Sequence, residues 1–129
     1  MNVLDENILE SQRQSLLGWR IPVRQIGHEL GRKGMQDEEI IPFLLTVRRP
    51  TLFTRDLGFY SRHLCHARYC LVVLAVGQYE VAHFVRRALH QPDLNSQSKR
   101  MGRVIRVMHN KLAVWELHAE HEVRYPWYD

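Results

Sequence analysis

The chain has 129 residues, 45% of them hydrophobic, which suits one globular domain with its own core. Two cysteines are too few for a disulfide-built scaffold, and no apolar run nears the ~20 residues of a membrane span. Eighteen Lys and Arg against fourteen Asp and Glu give a net charge of +4, compatible with a polyanionic partner but shared by many ordinary proteins.

Asn2–Leu4 reads as a short strand closed by Asp5-Glu6-Asn7, followed by a helix from about Ile8 to Leu17 that Gly18 stops. Arg20 to Ile26 reads as a second strand, with Pro22 acceptable only at its beginning or on a sheet edge. Gly27 to Gly34 is a loop bearing the basic pair Arg32-Lys33. Asp37 then stands as the N-cap of a second helix with Glu38 and Glu39 in its first turn. Ile40, Ile41, Leu44 and Leu45 form its apolar stripe, and Pro50 stops it. Thr51–Thr54 is the next strand and delivers Asp56.

Leu71 to Val76 is a continuous apolar run, as in a strand covered on both faces. A helix from Tyr79 to His90 follows, because Val81, Phe84, Val85, Ala88 and Leu89 recur at helical spacing. Gln91 to Arg103 reads as a polar, basic connector. Val104 to Met108 and Leu112 to Leu117 read as a hairpin around His109-Asn110-Lys111. Residues 1–117 are therefore expected to form a single domain, with 118–129 a charged, aromatic tail. Alternating strands and helices up to about residue 90 predict an α/β fold, a three-layer sandwich on a mainly parallel sheet.

Three acidic motifs, Asp5-Glu6-Asn7, Asp37-Glu38-Glu39 and Thr54-Arg55-Asp56, stand where strands hand over to helices. In an open parallel sheet, strand C-termini line one edge and ligands bind in the crevice there, so distant acids can converge. Clustered carboxylate oxygens suit Mg²⁺ or Mn²⁺, and such ions suit phosphodiester chemistry. The plainer readings are helix capping for Asp37 and solvated turn acids for Asp5 and Asp56.

In order and spacing, the trio resembles the small PIN-like proteins of prokaryotes, relatives of PIN-domain ribonucleases and their VapC-type toxins. The resemblance covers roughly residues 1 to 90 and implies a PIN-like α/β/α sandwich, with the hairpin as its end. It implies a Mg²⁺- or Mn²⁺-dependent ribonuclease that cuts single-stranded RNA, leaving a 5′-phosphate and a 3′-hydroxyl. It also implies a possible toxin role with an antitoxin partner. By position, Asp5, Asp56 and Asp37 or Glu38 match the family's metal-binding carboxylates, and Thr54 matches a hydroxyl that orients the site. Gly58 departs from the commoner pattern, which has a second acid there.

Arg32, Lys33 and Arg55 are candidates for phosphate contacts, as are Lys99 and Arg100 in the connector. His63, Cys65, His66 and Cys70 are zinc-type ligands, but their spacing fits no common finger and packing is the better reading. The expected protein is cytoplasmic, with no membrane contact and an RNA partner, and a homodimer is compatible with the aromatic end. Two other functions stay open: a PIN-like module that binds nucleic acid or protein without cutting, and a metal-dependent phosphatase-like enzyme.

Overall fold

The computed structural model describes residues 1–128 as seven strands in one sheet, with four helices. The strands are β1 (Asn2–Leu4), β2 (Arg24–Gln25), β3 (Thr51–Thr54), β4 (Cys70–Leu74), β5 (Arg103–Val107), β6 (Lys111–Glu116) and β7 (Val123–Pro126). Their order is β2-β1-β3-β4-β5-β6-β7. The first five run parallel, whereas β6 and β7 each pair antiparallel with the strand before them. The protein is thus α/β with a mostly parallel sheet.

The apolar pattern decides which helix covers which face. Every residue of β4 is buried, as a central strand between two helical layers requires. Leu4, Phe53, Val72, Leu74 and Ile105 point to one face, where they pack with Leu16 of α1 (Glu10–Gly18) and Val81, Phe84, Val85 and Ala88 of α3 (Val81–His90). Val3, Leu52, Leu71, Val73 and Val104 point to the other, against Ile40 and Leu44 of α2 (Asp37–Leu44) and Phe59. Gln12 ties α1 to α3 by accepting from the Ala82 amide at 2.9 Å.

Several boundaries differ from the sequence reading. The second strand shrinks to Arg24–Gln25, because Arg20 adopts a positive φ of 63° and Pro22 has no amide to donate. Gln36, not Asp37, caps α2, and its amide donates to the Glu39 carboxylate at 3.3 Å. Asp37 is the first helical residue, where its charge still meets the helix dipole. The helix ends at Leu44, well before Pro50, two residues after Pro42 has removed the amide that would bond to Glu38. The connector holds a short helix, α4 (Gln97–Arg100), and the segment read as a tail holds β7.

The order 2-1-3-4-5 of the parallel strands places a reversal between β1 and β3: the chain winds outward from β1 to β2, then returns to β1's other side. Such switch points open a crevice beyond the strand C-termini, and two of the acidic motifs leave the sheet there.

Candidate functional site

Asp5 follows β1 and Asp56 follows β3, so both carboxylates emerge at the switch point from neighbouring parallel strands. Asp5 continues the pairing, its amide donating to the Phe53 carbonyl at 3.0 Å. Thr54, the buried last residue of β3, joins the two acids. Its hydroxyl donates to Asp5 Oδ2 at 2.7 Å and accepts from the Asp56 amide at 3.0 Å. Asp56 Oδ1 in turn accepts from the Gly58 amide at 2.9 Å, which starts a single 3₁₀ turn over Leu57–Phe59. Both carboxylates are thereby oriented by short local bonds.

The first turn of α2 closes the third side. Asp5, Asp56 and Asp37 line one cavity of about 300 Å³, with Glu6, Asn7 and Arg55 also on its wall. Burial raises the Asp5 carboxyl above its ordinary value; the Thr54 hydroxyl and the Glu6 amide oppose the shift, while Asp56 and Glu6 add repulsion. Asp37 is raised as well, by lost hydration first, then by the charge of Asp56 and a hydrogen bond shared with it, then by Asp5 and Glu38. The charge of Asp56 thus contributes to raising both Asp5 and Asp37.

No family model, curated protein or solved structure matches the chain. Its chemistry is therefore read from the site itself.

Among the described residues, no three His, Cys, Asp or Glu side chains are grouped closely enough to hold a metal ion. Glu38 lies outside the acidic cavity, on an adjoining groove with Ile41, Gly58 and Leu64. Glu6 is engaged elsewhere: it accepts from the Gly34 amide at 2.9 Å and so fixes the loop that carries Arg32 and Lys33. The same loop needs Gly27, whose φ is 88° and where a Cβ would stand 2.7 Å from Glu6 Oε2.

The basic candidates separate into two groups. Arg55 lines the cavity, with its Nε donating to the Val76 carbonyl at 3.0 Å, while Arg32 pairs with Glu39 and Lys33 is exposed. Lys99 and Arg100 belong to α4, which leads into β5 at the opposite edge of the sheet. Lys99 is spent on the Pro92 carbonyl and Asn95, and Arg100 is buried against Thr51. Arg100, named with Lys99 as a candidate for phosphate contact in the connector, thus lies at the strand ends opposite the acids and is largely enclosed.

Cys65 donates to the Trp115 carbonyl at 3.5 Å, Cys70 is wholly buried with its thiol pushed up to about 12, and His66 stacks on Tyr69. Cys65 is half-buried, its thiol raised by burial.

One supporting residue escaped the sequence reading. Gln25 is buried, and its Nε2 donates to the carbonyls of Asp5 and Ile8, both at 2.9 Å. It thus holds the turn that presents Asp5. The only hint was a polar residue inside an apolar strand pattern, which more often marks an edge than a brace.

Proposed function

We propose that the chain is a divalent-metal-dependent endoribonuclease of the PIN type that cleaves single-stranded RNA. The observation that carries this reading is the convergence of Asp5, Asp37 and Asp56, from three separate junctions, on one cavity where two of them have raised pKa values. A cation relieves such repulsion. Mg²⁺ commonly takes only one or two carboxylates, completing its octahedron with water and substrate phosphate, so this donor set fits it without a closed protein cage. When bound, the ion would supply a hydroxide near neutral pH and offset charge on the scissile phosphate.

The chain's own residues have distinct tasks in this reading. Thr54 orients Asp5 by donating to one of its carboxylate oxygens. Asp37, whose carboxyl is held above its ordinary value by lost hydration and then by the charge of Asp56, would join Asp56 in meeting the cation. Glu6 steadies the loop whose Arg32 and Lys33 would follow the RNA backbone, and Arg55 sits on the cavity wall for the same purpose. A toxin role and an antitoxin partner belong to the same proposal and rest on the family resemblance; a homodimer rests on the aromatic C-terminal end.

A second reading has its own support. Gly58 offers a backbone amide to Asp56 where a further acid would have strengthened cation binding. A module with this arrangement binds RNA without cutting it.

Cleavage of a labelled single-stranded RNA in Mn²⁺ separates the two. Activity in the native chain that disappears in Asp5→Asn/Asp56→Asn supports the nuclease. No cleavage by either protein, with salt-sensitive RNA binding that survives EDTA, selects the binding module.

A further inference from the structure

Arg100 brings a positive charge into the fold without an acid beside it. Its residue is 7% exposed, its Nε donates to Thr51 Oγ1 at 3.0 Å and its Nη1 to the Leu94 carbonyl at 2.8 Å. Among the described residues no Asp or Glu pairs with it, and Nη2 has no hydrogen-bond partner. Nη2 is not fully enclosed, so the guanidinium is held in the fold by two hydrogen bonds and keeps one donor edge open to solvent.

Arg100 lines a cavity of about 330 Å³, together with Met1, Asn2, Leu17, Pro22, Val23 and Arg24 among others. It lies where β1, β2 and β3 begin, at the opposite edge of the sheet from the acids. Arg24 is the exposed first residue of β2 and adds a second guanidinium. The remaining wall is mainly apolar, and among the described residues no carboxylate lines the cavity.

We propose that this cavity binds a small organic anion, its phosphate or carboxylate head held by Arg100 and Arg24 and its apolar body against Leu17, Pro22 and Val23. A guanidinium fork matches either head in bidentate fashion. The cavity's size suits a ligand of a few fused or linked rings at most, which separates it from an RNA track.

The test is a resonance-shift titration of the native chain with phenyl phosphate, benzoate and inorganic phosphate. Phenyl phosphate or benzoate is expected to shift the amides of Leu17, Val23 and Arg24, the stronger of the two naming the head. Arg24→Ser should weaken binding about tenfold, the loss of one charge-assisted contact. Arg100→Met should abolish it; if that variant does not fold, Arg24→Ser and the resonance map decide. No shift with either aromatic anion, shifts confined to other surfaces, or unchanged binding in Arg24→Ser would overturn the site. Inorganic phosphate binding as tightly as phenyl phosphate would overturn the apolar half.

Discussion

The hydroxyl of Thr54 and the carboxylate of Asp5 are joined by one 2.7 Å hydrogen bond that crosses from β3 to β1. Because the same hydroxyl accepts from the Asp56 amide, it sets the spacing of both acids. Thr54→Val keeps the shape but leaves a partly buried carboxylate and a backbone amide without their partner. The expected cost is about 1–3 kcal/mol in denaturant unfolding, with the proposed RNA cleavage lost. Thr54→Ser should restore both. Full activity in Thr54→Val would remove the hydroxyl from the site.

Asp5 also sets a pH dependence whose sign is fixed. Its folded pKa lies above the ordinary 3.8, so between the two values the native state holds more protons than the unfolded chain. The stability it contributes is full below 3.8 and lost as pH rises through the folded pKa. Glu29, held at about 2 by the Gln25 amide and then Arg13, acts in the opposite direction but is common to native and variant. Metal-free Asp5→Asn should therefore gain melting temperature relative to the native chain as pH rises toward neutral. A difference that stays flat across that range would contradict the raised pKa.

Gly58 offers a gain-of-function comparison. A Cβ there would stand 3.1 Å from Asp56 Oδ1, tight but tolerable with a small shift. Gly58→Asp places a new carboxylate beside Asp56. The metal-free protein should melt lower through like-charge repulsion, and Mn²⁺ should bind several-fold tighter by calorimetric titration. Unchanged Mn²⁺ affinity would place the cation elsewhere.

Gln25 is the brace behind the site. Gln25→Leu removes the donor shared by the carbonyls of Asp5 and Ile8. Urea unfolding should show a loss of about 2–3 kcal/mol, with slower cleavage from a mispositioned Asp5. Native-like stability in Gln25→Leu would show that water replaces the amide.

The parts of this architecture legible from sequence were those with a strong apolar signal. Thr51–Thr54 and the run through β4 are buried throughout, and α3 carries an uninterrupted helical stripe. β7 was hidden because an edge strand buries little: Val123, Arg124 and Pro126 are exposed, and only alternate residues touch the core. Asp5 and Asp56 stood out as acids just beyond strand ends, and Asp37 as an acid opening a helix; their placement on one cavity is what the structure adds. Gln25 and Arg100 did not stand out in this way, since their importance lies in partners from distant segments: the Asp5 and Ile8 carbonyls for one, Thr51 and Leu94 for the other. No local pattern records such pairings.

β1 is the first strand in the chain, has only three residues, and sits between β2 and β3. During synthesis it emerges with neither neighbour available, and a strand this short gains little by waiting alone. Asp5 therefore meets Thr54 only after α1 and α2 have left the ribosome and β3 has followed them. A nascent chain held before Thr51–Thr54 would carry Asp5 and Asp37 but neither Asp56 nor the hydroxyl that joins it to Asp5. If the chain cuts RNA, it is harmless to the message being translated until that moment.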